Sequence, residues 1–209
     1  MSDLNMQFVR EFFELNRFHV LTHWQHDAPV ARGVDSTALL FAENSQPEAL
    51  GPLPFLLRPA ELSGLRRAVV EVRAWHGDRF YPSVVENSAV LSHVVQEETL
   101  NLARSVFGSP DFVTVLILSE LPASPRHRAR SLELLQGRGI GHVLEFPTIL
   151  QDMLAHVSVD GNYAPSQTLQ TLRLLKRYNL LRRQQLEFSF PHGPVTPGKE
   201  PDEGTFPED

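Results

Sequence analysis

Two charged side chains within one apolar segment are the residues of this sequence best suited to chemistry. Glu71 and Arg73 lie in residues 67–75, where several valines predict a β-strand. Alternate residues of a strand point to the same face, so these side chains would lie about 6–7 Å apart on one face. Burying a charge there is costly unless the charge is paired or bound to a ligand. The pattern leaves two interpretations: a mutual ion pair on a half-exposed strand, or one edge of an active site.

The active-site interpretation requires a second carboxylate on a neighbouring strand. Asp35 opens residues 35–42, which the sequence also predicts to be a strand. Because Asp35 would stand at the mouth of the adjacent strand, we expect its carboxylate to converge with that of Glu71.

The remaining elements must position these residues, and their order predicts an α/β protein. Predicted strands cover residues 18–24, 35–42, 67–75, 112–118 and 140–146. Predicted helices cover residues 3–16, 86–107, 124–136, 147–157 and 166–178. The near-continuous apolar run Phe112–Leu118 is typical of a central strand that is covered on both faces. Helices between the later strands favour parallel pairing, whereas the first three strands favour a meander.

Composition excludes several classes of protein. The 209 residues contain no cysteine, which excludes disulfides and thiolate chemistry, and the net charge of −6 argues against extensive coating of nucleic acid. No apolar run reaches the length of a membrane span, and a cytoplasmic protein is expected. There is no glycine-rich phosphate loop and no Gly-x-Ser-x-Gly nucleophile motif. We expect an α/β domain over residues 1–158, a helical extension over 159–188 and a disordered acidic tail over 189–209.

The element order, Asp35 on the second strand and Glu71-Val72-Arg73 on the third resemble the PD-(D/E)XK nuclease superfamily over roughly residues 3–157. This superfamily includes restriction endonucleases and Holliday-junction resolvases. The resemblance implies a restriction-endonuclease-like mixed β-sheet flanked by helices. It also implies a metal-dependent phosphodiesterase that acts on nucleic acid with Mg²⁺ or Mn²⁺.

The resemblance also implies a set of metal ligands. Asp35 and Glu71 would hold the ion, and the carbonyl oxygen of Val72 would add a ligand. One carboxylate of the first helix, Glu11 or Glu14, would be an auxiliary ligand. Two neighbouring carboxylates repel each other unless a cation lies between them, which is the role expected of the metal.

Two positions depart from the superfamily pattern, and one further residue has two interpretations. Arg73 occupies the place of a lysine; arginine stays protonated below about pH 12, so it can stabilise charge on phosphate but cannot act as a base. Val34 stands where the superfamily often has proline. Gln96 resembles a glutamine that some relatives carry near the site, and the alternative is an exposed helix residue.

Other functions remain open from the sequence alone. The arginine at position 73 and the negative charge favour a catalytically inactive nuclease-fold protein that binds nucleic acid or serves as a scaffold subunit. The Asp35/Glu71 pair favours the enzyme. A helix-turn-helix regulator within residues 148–182 is disfavoured, because its linker of about eight residues exceeds the usual three or four. The expected partners are nucleic acid, other proteins or a second copy of the chain in a homodimer, and no membrane.

Overall fold

A computed structural model describes residues 3–22 and 39–181 of the chain. Asp35, Val34 and the tail expected over residues 189–209 therefore lie outside the described residues, as does the end of the first predicted strand.

The described strands form one mixed sheet in which neighbours in space are also neighbours along the chain. They are β1 (Phe18–Thr22), β2 (Leu39–Asn44), β3 (Arg67–Arg73), β4 (Val113–Leu118) and β5 (His142–Glu145). The pairings β1–β2 and β2–β3 are antiparallel, whereas β3–β4 and β4–β5 are parallel. The expected α/β fold with a mixed sheet is confirmed, and so is the interior position of β4. The middle position, however, belongs to β3.

Helices cover both faces of the sheet. On one face lie α1 (Asp3–Leu15), α5 (Phe146–His156) and α6 (Gln167–Arg177). On the other face lie α2 (Pro82–Asn87), a 3₁₀ helix (Ala89–Val95), α3 (Glu97–Phe107) and α4 (Pro125–Gly137). None of the helices in these described ranges has the length and apolar character needed to cross a membrane.

The alternation of β3 assigns its side chains to the two faces. Val70 and Val72 belong to the core beneath α1, together with Phe12, whereas Val69 belongs to the core beneath α3. Since residues two apart share a face, Glu71 points to the side of Val69, beneath the 3₁₀ helix and α3. The face of Glu71 is therefore opposite to that of α1.

The predicted single helix over residues 86–107 is wrong in its first half. The chain there forms α2, the 3₁₀ helix and α3, with non-helical backbone at Ser88 (φ −100°, ψ 89°) and Gln96 (φ −70°, ψ 147°). This region is rich in valine and serine, which favour the helix weakly. The predicted stop at Gly108 is confirmed by its left-handed backbone (φ 61°).

The long connection between β2 and β3 pairs with the outer edge of β5. The backbone N–H of Leu57 donates to the carbonyl of Val143 (2.9 Å), and the N–H of Val143 donates to the carbonyl of Phe55 (2.8 Å). The connection then forms a 3₁₀ helix (Pro59–Gly64) before it enters β3. An edge strand with free backbone groups invites unwanted pairing, and this connection occupies that edge at Val143.

Helix α6 shares the core beneath α1 and α5. Leu172 is buried in that core, and Lys176 Nζ donates to the carbonyl of Leu154 on α5 (2.7 Å). Ser166 caps the helix as predicted, since its side chain accepts a hydrogen bond from the N–H of Leu169.

Leucines at two positions of α6 test this contribution. Leu172→Ala should lower the free energy of unfolding by about 2–4 kcal/mol, because it leaves a cavity in the core. Leu174 is 40 % exposed, so the control Leu174→Ala should cost less than about 1 kcal/mol. Urea unfolding of both variants measures the difference, and equal losses would contradict the shared core.

Candidate functional site

Glu71 and Arg73 form an ion pair inside the protein. The side chain of Glu71 is 0 % exposed and that of Arg73 is 4 % exposed. Both Nε and Nη2 of Arg73 lie 2.6 Å from Oε1 of Glu71, and Nε donates a hydrogen bond to it. The ion pair that the sequence offered as one interpretation is therefore present, although on a covered strand face and not on a half-exposed one.

The register of β3 explains why this pair is so deeply buried. Glu71 lies opposite Leu39 on β2 and Leu116 on β4, and both of these leucines are themselves buried. The 3₁₀ helix Ala89–Val95 then packs over β3 and β4 on this face. A carboxylate in such surroundings is stable only if its oxygens find donors or a cation.

One oxygen of Glu71 lacks such a partner. Oε1 accepts from Arg73, but Oε2 is buried without a hydrogen-bond partner among the described residues. Leaving a buried acceptor unsatisfied costs on the order of 1–3 kcal/mol, and more if the group is charged. The unsatisfied oxygen is therefore suited to receive a further ligand.

His93 is the residue that approaches this oxygen, and the sequence did not point to it. Its Nδ1 lies 3.7 Å from Oε2 of Glu71 and 3.4 Å from Oγ1 of Thr99, which is itself buried. The His93 side chain is 31 % exposed. The only sequence signal for this role was a histidine beside the apolar residues Leu91 and Val94. No local sequence pattern indicates that the 3₁₀ helix Ala89–Val95 packs over β3.

The structure does not bring the carboxylates of the first helix to Glu71. Glu11 is buried on the opposite side of the sheet, where its Oε1 accepts from Ser166 Oγ (2.6 Å) and from Gln7 Nε2 (3.1 Å). Glu14 is exposed and pairs with Arg10 at 2.8 Å.

The other residues implied by the resemblance have different positions. Gln96 is exposed at the N-terminal cap of α3, on the same side of the sheet as Glu71, and its side chain makes no capping hydrogen bond. The side chain of Val72 is buried beneath α1, and its backbone lies opposite Ile117 of β4. Asp35 belongs to the part of the chain outside the described residues.

Two side-chain donor atoms lie near each other at Glu71. Oε2 of Glu71 is an orphaned carboxylate oxygen, and Nδ1 of His93 is a second donor atom beside it. Within residues 3–22 and 39–181, no three acidic or histidine side chains group closely enough to hold a metal. The described residues around Glu71 therefore do not form a metal site by themselves.

A cleft opens just beyond the carboxyl ends of the parallel strands. Its volume is about 320 Å³, and it is lined by residues that include His76, Asp78, Arg79, Ser119, Glu120 and Phe146. The hydrogen bond from Arg79 to Glu120, together with the charge of that carboxylate, raises the pKa of Arg79. In open α/β sheets, ligands commonly bind at this edge.

Comparison with known proteins adds no assignment. No protein-family model matches the chain, and neither the curated proteins nor the solved structures give a significant match.

The buried pair can be tested by removing one partner. Arg73→Met should lower the free energy of unfolding by about 3–5 kcal/mol, because it leaves the buried carboxylate of Glu71 without its cation. The double variant Glu71→Leu/Arg73→Met should recover most of this loss. Chemical denaturation gives both values.

The control for this prediction is an exposed ion pair. Arg104 pairs with Glu97 at 2.9 Å, with side chains 44 % and 72 % exposed, so Arg104→Met should change stability by less than about 1 kcal/mol. If Arg73→Met costs no more than this control, Arg73 does not compensate the buried charge of Glu71.

Proposed function

We propose that this chain is a metal-dependent phosphodiesterase of the PD-(D/E)XK type that acts on nucleic acid, with Glu71 as a metal-binding carboxylate. The observation that carries the proposal is the buried Oε2 of Glu71, which has no hydrogen-bond partner among the described residues. Such an oxygen, held on the middle strand of a sheet, is suited to bind a cation.

The arrangement of elements supports the proposal. Helix α1 is followed by an antiparallel meander of β1, β2 and β3, and a helical crossover then leads to the parallel strand β4. This is compatible with the element order on which the resemblance rests. The cleft beyond the carboxyl ends of β3 and β4 offers room for a substrate near this strand.

The proposed activity gives Glu71, Asp35 and Arg73 different roles. Glu71 would hold Mg²⁺ or Mn²⁺, with Asp35 as the second carboxylate. When bound, such an ion polarises a phosphodiester oxygen and lowers the pKa of a coordinated water. Arg73 is a positioning residue, because its two donors fix Oε1 of Glu71 and turn Oε2 towards His93. As a permanent cation, Arg73 takes no part as a base.

A second candidate function is a nuclease-fold protein that binds nucleic acid or partner proteins without cleavage. Two observations favour it. Both Nε and Nη2 of Arg73 contact Oε1 of Glu71, so this oxygen is not available to a metal ion. The described residues also contain no group of three metal-binding side chains.

Cleavage assays decide between the two functions. The purified protein should cut at least one of branched, nicked or single-stranded DNA or RNA when Mg²⁺ or Mn²⁺ is present. Glu71→Gln and Asp35→Ala should each reduce the rate by at least about 100-fold, because each removes a metal ligand. Arg73→Lys should retain or raise cleavage, because it restores the residue of the superfamily.

Glu98→Gln is the matched control, since Glu98 is an exposed residue in the first turn of α3. Circular dichroism establishes that each variant is folded. If the wild type cuts none of these substrates and binds neither ion, the enzyme proposal is refuted. Binding of labelled nucleic acid without cleavage would then support the second function.

A further inference from the structure

We infer that the groove between α2 and α4 binds single-stranded nucleic acid, with Arg126 and Arg130 at its phosphates and Tyr81 as a platform for an unpaired base. The inference rests on the proposed function, because it names the class of substrate that the enzyme would hold. This binding needs no metal ion, so it can be measured apart from cleavage.

The α2–α4 groove lies on the same side of the sheet as Glu71, at the edge where the parallel strands end. Helices α2 and α4 pack against each other on that face. Arg128, near the start of α4, pairs with Glu145 at the end of β5, which places the first turn of α4 at this edge. The volume of the groove is about 860 Å³. The groove therefore has room for part of an extended chain beside the strand ends.

Positive charge is concentrated where the first turns of α4 line the groove. Arg126, His127 and Arg130 are exposed there. Among the described residues Arg126 has no ion-pair partner, so its guanidinium is available to a phosphate. The carboxylates of the groove, Glu86 and Glu133, lie further along α2 and α4. Glu133 lies 3.3 Å from Arg130 in an exposed pair, which is weak enough for Arg130 to exchange it for a phosphate.

The backbone at the start of α4 adds to this charge. Ser124 is the N-terminal cap of the helix, yet its side chain makes no capping hydrogen bond. The N–H groups of the first turn are therefore not occupied by that side chain, and they carry the positive end of the helix dipole. Both features favour an anion beside Arg126.

Tyr81 supplies an aromatic surface beside these cations. It is 41 % exposed, and its ring centroid lies 5.9 Å from that of His127 with the rings inclined at 72°. Such an edge-to-face contact covers at most one face of Tyr81, so a base can stack on the other. Unpaired bases offer their faces to an aromatic side chain, whereas the bases of a duplex stack on one another. The combination of arginines and an exposed aromatic ring therefore favours single strands over a duplex.

Fluorescence anisotropy of labelled oligonucleotides tests the inference on the full chain. The probes are oligothymidine and oligouridine of about 16 nucleotides and a DNA duplex of the same length, all in EDTA so that no metal-dependent cleavage occurs. The wild type should bind at least one single-stranded probe about tenfold or more tightly than the duplex. The double variant Arg126→Gln/Arg130→Gln should weaken this binding and reduce the dependence of log affinity on log salt concentration by about 1.4, since each phosphate contact contributes about 0.7.

Substitutions of Tyr81 test the platform separately. Tyr81→Leu should weaken single-strand binding by about fivefold or more, and Tyr81→Phe should retain it, because only the second keeps an aromatic face. The control is Arg177→Gln, since Arg177 is exposed at the end of α6 on the opposite side of the sheet. It should change the affinity by less than about twofold. Every substituted side chain is exposed, and circular dichroism establishes that each variant is folded.

The outcomes separate this inference from the proposed function. A wild type that binds neither single-stranded probe, or that binds the duplex as tightly, overturns the inference. So does a loss of affinity in Arg177→Gln equal to that in the double variant, or an affinity that the groove variants leave unchanged. In each case the cleavage assay still decides the phosphodiesterase proposal by itself. Single-strand binding lost in the groove variants upholds the inference, even where the wild type cleaves none of the substrates.

Discussion

The contact between Glu71 and Arg73 places a pair of opposite charges in the middle strand of the sheet. A buried ion pair of this kind is seldom more stable than an apolar pair of similar volume, because both groups lose their hydration. The packing of β3 against β2, β4 and the covering helices must therefore hold Arg73 close enough to compensate the negative charge of Glu71. The distance of 2.6 Å between Arg73 Nη2 and Glu71 Oε1 shows that they do. This contact leaves Oε2 of Glu71 without a hydrogen-bond partner among the described residues.

The two faces of the sheet differ in the side chains that they bury. The core beneath α1, α5 and α6 is built from aliphatic and aromatic side chains and includes Val70 and Val72 of β3. The other face includes Val69 and carries the charged pair, where the 3₁₀ helix supplies His93. Because the side chains of β3 alternate, the same strand contributes apolar side chains to one core and a buried ion pair to the other face.

Much of the fold follows from local patterns, and much of the site does not. Valine-rich strands and the left-handed stop at Gly108 are encoded by residue type and spacing, so the sheet and the end of α3 were predictable. The shared face of Glu71 and Arg73 followed from strand geometry alone. The position of Glu11 on the opposite face depends on how α1 packs, and the approach of His93 depends on a 3₁₀ helix whose boundaries carry weak signals. The positions of Glu11 and His93 depend on contacts between elements that are distant in the chain, and the periodicity of the sequence does not indicate such contacts.

The pairing of Leu57 with Val143 has a consequence for the order of folding. These residues are far apart in the chain, yet the connection between β2 and β3 completes its sheet hydrogen bonds only on β5. During synthesis, β1, β2 and β3 leave the ribosome well before residue 143 does. The connection between β2 and β3 therefore cannot form these hydrogen bonds until β5 has been synthesised. Its pairing with β5 is a late, long-range step that slows folding relative to the β1–β3 meander.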